Sequence, residues 1–258
     1  MRKFDNPVKD LGYLLYRWLE PIADPVKIAK SVPGYLMYWR DWIRYAGLDG
    51  SEEIRFNDTY PRLHEKTETT TFDSHYFYQD LWAFKKIQQS RTEWHVDVGS
   101  RIDLIGFLTA ITRVTFIDIR PLEASLDNFE SKKGSILAMP YADGTIPSLS
   151  CLHVAEHVGL GRYGDPLDPL GTKKACAELS RTLAHNGNLY FSLPVGKARL
   201  CFNAHRIHSP QRILEYFHNL DLVEFSAIDD NGTFMRDIDM RRLENAHYSC
   251  GLFHFRKR

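Results

Sequence analysis

The chain has 258 residues, 43% of them apolar, and Lys+Arg balances Asp+Glu at 33 each. That length supports one sizeable core, or a main domain with a smaller appendage, and the even charge argues against nucleic acid or an acidic membrane surface as the main partner. No apolar run approaches the ~20 residues of a membrane-spanning helix and the N-terminus lacks the apolar core of a signal peptide, so a soluble, cytoplasmic protein is expected.

Residues 1–70 read as a helical N-terminal extension. Leu11, Leu15, Trp18 and Leu19 fall at helical spacing, and Tyr35, Trp39, Trp42 and Ile43 repeat the pattern after a Pro33-Gly34 break. Such a face packs on a main domain, caps a site, or meets a partner chain or membrane. Asp49-Gly50 and the polar stretch 57–71 read as a linker. From residue 71 to 258 strands and helices alternate. A loop entering a helix spans 72–87, with Tyr78, Leu81 and Trp82 on one face. Strands are expected at 94–98, 114–117, 136–138, 149–152 and 188–193, with helices at 102–112, 172–183 and 211–217 and Asn186-Gly187 as a helix stop. Strands at 222–227 and 250–255 finish the chain as an antiparallel edge pair. This alternation predicts an α/β, Rossmann-like, mostly parallel sheet of about seven strands with helices on both faces. Cys151, Cys176, Cys201 and Cys250 form no CxxC pair, which predicts reduced, mostly buried thiols.

In such sheets ligands sit at the carboxyl ends of the strands, where strand order reverses. The first strand ends in Asp97-Val-Gly99-Ser100; a glycine there lets the backbone turn tightly against a ligand. The G-x-G-x-x-G of a pyrophosphate loop is missing, which argues against NAD or FAD. The second strand ends at Asp118, where a carboxylate can accept hydrogen bonds from both hydroxyls of a ribose. Alone, the same residue reads as a cap or a partner for Arg120.

Gly134-Ser-Ile-Leu-Ala-Met-Pro-Tyr-Ala-Asp-Gly144, then Leu152-His-Val-Ala-Glu-His157, then Leu179-Ser-Arg-Thr-Leu-Ala-His-Asn-Gly-Asn-Leu-Tyr-Phe-Ser-Leu-Pro194 together resemble the class I S-adenosylmethionine-dependent methyltransferases. The resemblance covers roughly residues 90–258. Asp-Val-Gly-Ser-Arg and Gly-Arg-Tyr-Gly-Asp-Pro-Leu-Asp-Pro look like a less characterised branch associated with polysaccharide modification. The resemblance implies S-adenosylmethionine as cofactor, with Asp97, Gly99 and Ser100 by its methionine part, Asp118 on the ribose, Ile119 on the adenine, Ser135 and Ile136 at the adenine edge, and His153 near the sulfonium. Arg101 replaces the family's usual small residue, and Ser135 its usual Asp.

Rival chemistries are weaker. His153-Val-Ala-Glu-His157 is also the inverse zinc-peptidase pattern H-x-x-E-H, but His153 follows an apolar strand and glycines at 159 and 161 disfavour a ligand helix; no metal is expected. Asp165 and Asp168 read as solvated or capping carboxylates rather than a cation site. No G-x-S-x-G elbow exists. Arg162 and Tyr163 are candidates to hold an anionic or sugar-like substrate. Ser209-Pro210 reads as an N-cap with proline at the first helical position. The expectation is methyl transfer to a small-molecule or glycan-like acceptor, at oxygen, with His205, His157 and Glu156 as candidate bases in that order. The alternatives are an NAD-dependent oxidoreductase and a non-catalytic cofactor-binding or assembly module.

Overall fold

The computed structural model describes residues 12, 15, 16 and 23–258. They form two compact units that part between Phe72 and Asp73. Leu11, Trp18 and Leu19, three positions of the first expected helical face, lie outside the described residues.

The first unit is built on α1, Pro25–Ala46. Asp24 caps it by accepting from the Val26 and Lys27 amides at 3.0 and 3.1 Å, and Pro25 occupies the first turn, where a missing N–H is harmless. The expected break at Pro33-Gly34 does not occur, since α1 runs through Pro33. A proline removes one backbone bond at a cost of ~3 kcal/mol; a 22-residue helix carries that where a shorter one would end. Trp39 stacks on Phe56, centroids 6.0 Å apart, at a 3₁₀ turn over Phe56–Asp58.

The second unit runs α2 (Ser74–Ser90), β1 (Trp94–Val98), α3 (Ile102–Leu108), β2 (Arg113–Asp118), β3 (Phe129–Lys133), β4 (Ile146–Leu152), α4 (Gly171–Thr182), β5 (Leu183–Val195), β6 (Arg199–Cys201), β7 (His205–Ile207), α5 (Pro210–Tyr216), β8 (Leu220–Ile228), β9 (Phe234–Met235) and β10 (Ser249–Lys257). One eight-stranded sheet has the order β3-β2-β1-β4-β5-β10-β8-β9. β1 to β5 are parallel, and β10, β8 and β9 pair antiparallel beyond them. The sheet has eight strands rather than about seven, because the polar excursion between β8 and β10 contributes the short β9. β6 and β7 form a separate hairpin.

The period of two along the strands separates two cores. Ile117, Leu189, Phe191 and Phe253 pack with Cys176 and Leu179 of α4 and Ile213 of α5. Phe116, Tyr190 and Leu252 pack with Trp82 and Ile87 of α2 and Leu104 and Leu108 of α3. Cys151, Cys176 and Cys250 are buried, Cys201 is half-buried, and all four are free.

Three expected elements move. The third strand is Phe129–Lys133, not 136–138. It is a half-exposed edge strand whose polar sequence hides it, while Ser135–Ala138 closes a tight turn by an amide-to-carbonyl bond of 3.0 Å. Asn186-Gly187 is not a helix stop. α4 ends at Thr182, and Asn186, at φ +59, lies in a bulge of β5 where the register against β4 jumps from Leu183 to Asn188. The helix after β1 is also shorter than expected, ending at Leu108.

Candidate active site

Strand order reverses between β1 and β4, so the crevice opens at the ends of β1, β2 and β4. Beneath it lies a buried polar chain. His95 Nδ1 and Nε2 lie 2.8 Å from Ser148 Oγ and Ser150 Oγ. The Ser150 hydroxyl donates to Asp97. Ser150 Oγ must therefore accept from His95 Nε2–H, which leaves Nδ1 to accept from Ser148. Asp97 also accepts from the Ser100 amide at 2.9 Å and the Ser100 hydroxyl at 2.7 Å, and Ser100 Oγ accepts from the Leu152 amide at 3.2 Å. Burial pushes the Asp97 carboxyl up to about 6 and the His95 imidazole down to about 3. Asp97 therefore shapes the Gly99-Ser100 turn from below, and it lines neither of the two clefts above.

Gly99 turns at φ +67. A Cβ there would meet Val154 at 3.2 Å and Asp118 Oδ2 at 3.3 Å, so the bare glycine is what leaves space over the strand end. Asp118 Oδ1 accepts from the Arg120 amide at 2.7 Å, which fixes the carboxylate at the rim of both clefts. The first cleft, about 440 Å³, is mostly apolar. Ile119, Ile136, Val154 and Val158 wall it, and Ser135 closes one side; Ser135 Oγ accepts from the Leu137 amide at 3.2 Å. The second, about 530 Å³, adjoins it past Gly99 and is edged by Ser100, Arg101, Tyr76, Arg120 and Arg162. Gly99, Asp118, Arg120, His153, His157 and Tyr163 border both.

The segment after β4 is a series of turns, not a helix. His153 sits at φ +56. Its Nδ1 lies 2.8 Å from Glu156 Oε1, and its ring is 5.3 Å from Tyr76 and 6.1 Å from His75. Burial by itself would hold the His153 imidazole down, but the Cys250 sulfur and the Glu156 carboxylate beside it keep its pKa well above the ordinary histidine value. Burial works against Glu156 as well, and His153 still holds that carboxyl below its usual range. Glu156 is fully buried and reaches neither cleft; it holds His153, and His157 Nε2 lies 3.7 Å from the same oxygen.

His157 Nδ1 lies 2.6 Å from the Ala204 carbonyl. That bond requires Nδ1–H, so Nε2 carries the lone pair. Burial lowers the His157 pKa. Arg162 donates to the same carbonyl at 3.2 Å. His205 is placed differently. It starts β7, its ring packs 5.0 Å from Tyr248, burial pushes its pKa down to about 4, and it lines neither cleft. The reason is the β6–β7 hairpin, which had no signal in the apolar pattern.

Two residues that sequence reasoning missed complete the site. Arg206, on β7, buckles the loop after β4: its amide donates to the Glu156 carbonyl at 3.1 Å, and its guanidinium to the Val158 and Asp168 carbonyls at 2.5 and 2.9 Å. Arg120 lies over the Tyr163 ring at 4.7 Å; its place two residues after the strand-ending Asp118 was the available signal. Asp165 pins the same loop by accepting from the Gly159 amide at 2.6 Å, and Asp168 accepts from the Leu170 amide at 2.9 Å and Lys174 Nζ at 2.6 Å. Among the described residues no group of three or more His, Cys, Asp or Glu side chains is arranged to hold a metal ion, and no helix is long and apolar enough to cross a membrane. Ser209 caps α5, accepting from the Arg212 amide at 3.3 Å, with Pro210 at its start.

The family described as Caenorhabditis protein of unknown function, DUF268, matches residues 109–250, more than half of the chain. No curated protein sequence matches. Among solved structures, the N-methyltransferase NodS from Bradyrhizobium japonicum WM9 in complex with S-adenosyl-L-homocysteine is similar over 84% of this chain and 97% of its own, with a TM-score of 0.51 at 13% identity. The Burkholderia thailandensis 1,6-didemethyltoxoflavin-N1-methyltransferase, with bound 1,6-didemethyltoxoflavin and S-adenosylhomocysteine, is similar over 71% of this chain and 84% of its own, with a TM-score of 0.48 at 14% identity. The fold is that of the class I S-adenosylmethionine-dependent methyltransferases.

Proposed function

This chain belongs to the DUF268 family, and from the geometry of its strand ends we propose that it is an S-adenosylmethionine-dependent methyltransferase acting on a small-molecule or glycan-like acceptor, at oxygen. The observation that carries this reading is the cradle of Gly99 and Asp118. A turn at φ +67, where a Cβ would crowd Val154 and Asp118, faces a rim carboxylate and opens on an apolar cleft. These residues fit the cofactor. Asp118 suits the ribose diol, Ile119 and Ile136 suit two sides of a flat base, and Ser135 lies at its edge. The Gly99-Ser100 turn suits the methionine end, with Asp97 shaping that turn from below and His153 nearby. A bound S-adenosylmethionine supplies a methyl group on a sulfonium that is already a good leaving group.

What remains for the protein is positioning and one proton. A hydroxyl acceptor must lose its proton as its oxygen takes the methyl. His157 is the better base. Its Nδ1–H is committed to Ala204, which leaves the lone pair on Nε2, 3.7 Å from Glu156 Oε1, and its ring borders both clefts. The lowered pKa keeps it neutral near pH 7. Glu156 and His153 are positioning residues. His205 packs on Tyr248 and lines neither cleft. Arg162 and Tyr163 lie on the acceptor side. The missing pyrophosphate glycines speak against the oxidoreductase alternative, and a non-catalytic module would bind the cofactor without turning it over.

Isothermal titration with S-adenosylhomocysteine and NAD tests the assignment. S-adenosylhomocysteine should bind and NAD should not. Asp118→Ala should weaken S-adenosylhomocysteine by roughly tenfold to a hundredfold, the effect of losing about 1.5–3 kcal/mol from hydrogen bonds to a charged acceptor. Equal affinity in wild type and variant would remove the ribose assignment.

A further inference from the structure

The two clefts differ in chemistry. One is walled mainly by aliphatic side chains, with Asp118 and Arg120 at the rim it shares, while the other is edged by Arg101, Arg120 and Arg162, with Asp118 and Glu123 as its acids. The three guanidiniums are not equivalent. Arg101 is spent, lying 2.7 Å from Asp103 and 4.0 Å from Asp80 while covering the Tyr76 ring at 5.2 Å. Arg120 and Arg162 both lie over the ring of Tyr163, at 4.7 and 5.2 Å. Arg120 has Asp118 only at 3.9 Å. Arg162 donates to a backbone carbonyl, and no carboxylate among the described residues comes within ion-pairing distance of it. A guanidinium over an aromatic face has N–H groups left to offer beyond the ring, and its planar fork suits an oxyanion gripped by two parallel bonds. The Tyr163 ring itself stands edge-on to His157, 5.8 Å away, so an anion held there lies beside the proposed base.

We propose that the polar cleft is the acceptor subsite and that it takes a small acceptor bearing an oxyanion, a carboxylate or a phosphate, gripped by Arg162 and Arg120 on the Tyr163 ring. This rests on the methyltransferase reading for its role, while the anion site itself can be tested apart from it. The anchoring group lies at the rim, and the hydroxyl to be methylated reaches inward toward His157. Neutral sugars and amines lack the group that the two arginines select.

The test titrates malonate, inorganic phosphate and neutral malonamide into the full chain, with and without saturating S-adenosylhomocysteine. Malonate or phosphate should bind the wild type and malonamide should not; the anion that binds more tightly identifies the source chemistry. Arg162→Ala, an exposed position, should weaken that anion about tenfold or more, with Arg162→Lys intermediate because it keeps the charge but loses the fork. S-adenosylhomocysteine affinity should be unchanged in Arg162→Ala. Equal anion affinity in wild type and Arg162→Ala overturns the proposal. So does a loss confined to S-adenosylhomocysteine, which would give Arg162 to the cofactor's own carboxylate. Failure of the wild type to bind S-adenosylhomocysteine, with the Arg162-dependent anion site intact, would overturn the cofactor reading and leave the oxyanion site standing.

Discussion

Gly99→Ala separates the two jobs given to the cradle. At φ +67 an alanine is strained by roughly 1–2 kcal/mol. Its Cβ would lie 3.2 and 3.3 Å from Val154 and 3.3 Å from Asp118 Oδ2, inside the 3.5–4.0 Å optimum for carbon contacts. Val154 or Asp118 must therefore shift. Gly144 is the matched control. It turns at φ +66, its nearest contact would be the Leu183 carbonyl at 3.9 Å, and it lines neither cleft. Both variants should melt about 2–8 °C below wild type, from 1–2 kcal/mol at 2–4 °C per kcal/mol for a chain of this size. Only Gly99→Ala should lose S-adenosylhomocysteine affinity. The loss should be about tenfold or more, because the new methyl displaces the carboxylate assigned to the ribose. Thermal melts and isothermal titration on the same preparations read both quantities. Gly99→Ala binding as tightly as Gly144→Ala would refute the cradle as the cofactor site.

His157→Ala should lower turnover by roughly 10²–10⁴-fold with cofactor affinity little changed, the usual range for a lost general base. Wild-type activity should fall as pH drops through an ionisation below 6.5, since burial lowers the His157 pKa and only the neutral ring accepts a proton; a full loss in His205→Ala with normal turnover in His157→Ala would reverse the roles. Asp97 makes stability fall as pH rises. Its carboxyl is held up at about 6 against 3.8 in an ordinary setting, so between these values the folded state binds more protons than the unfolded one and loses about 3 kcal/mol by pH 6. Urea unfolding from pH 4 to 7 should show this decline in wild type and a flatter profile in Asp97→Asn, and identical profiles would mean that Asp97 ionises normally.

Part of this protein is written locally. Strand ends announce themselves because a buried parallel strand is a short apolar run, so 94–98 matched β1 at both ends and Asp118 fell at the end of β2. Val154 to His157 could be placed beside them because the residues after β4 must enter the same crevice. β3 was missed because an edge strand buries too little to need an apolar pattern, and the bulge at Asn186 looked like a helix stop because both use a left-handed residue. Which histidine faces the cleft was not legible at all. His157 is aimed by a carbonyl at Ala204 and His205 is drawn to Tyr248, contacts that span 47 and 43 residues. The apolar runs marked where β1, β2 and β4 end, whereas which side chains share a cleft depended on the folded chain. Apolar periodicity records burial by each residue's own neighbours, whereas the direction of a loop side chain is set by hydrogen bonds to backbone that only folding brings near.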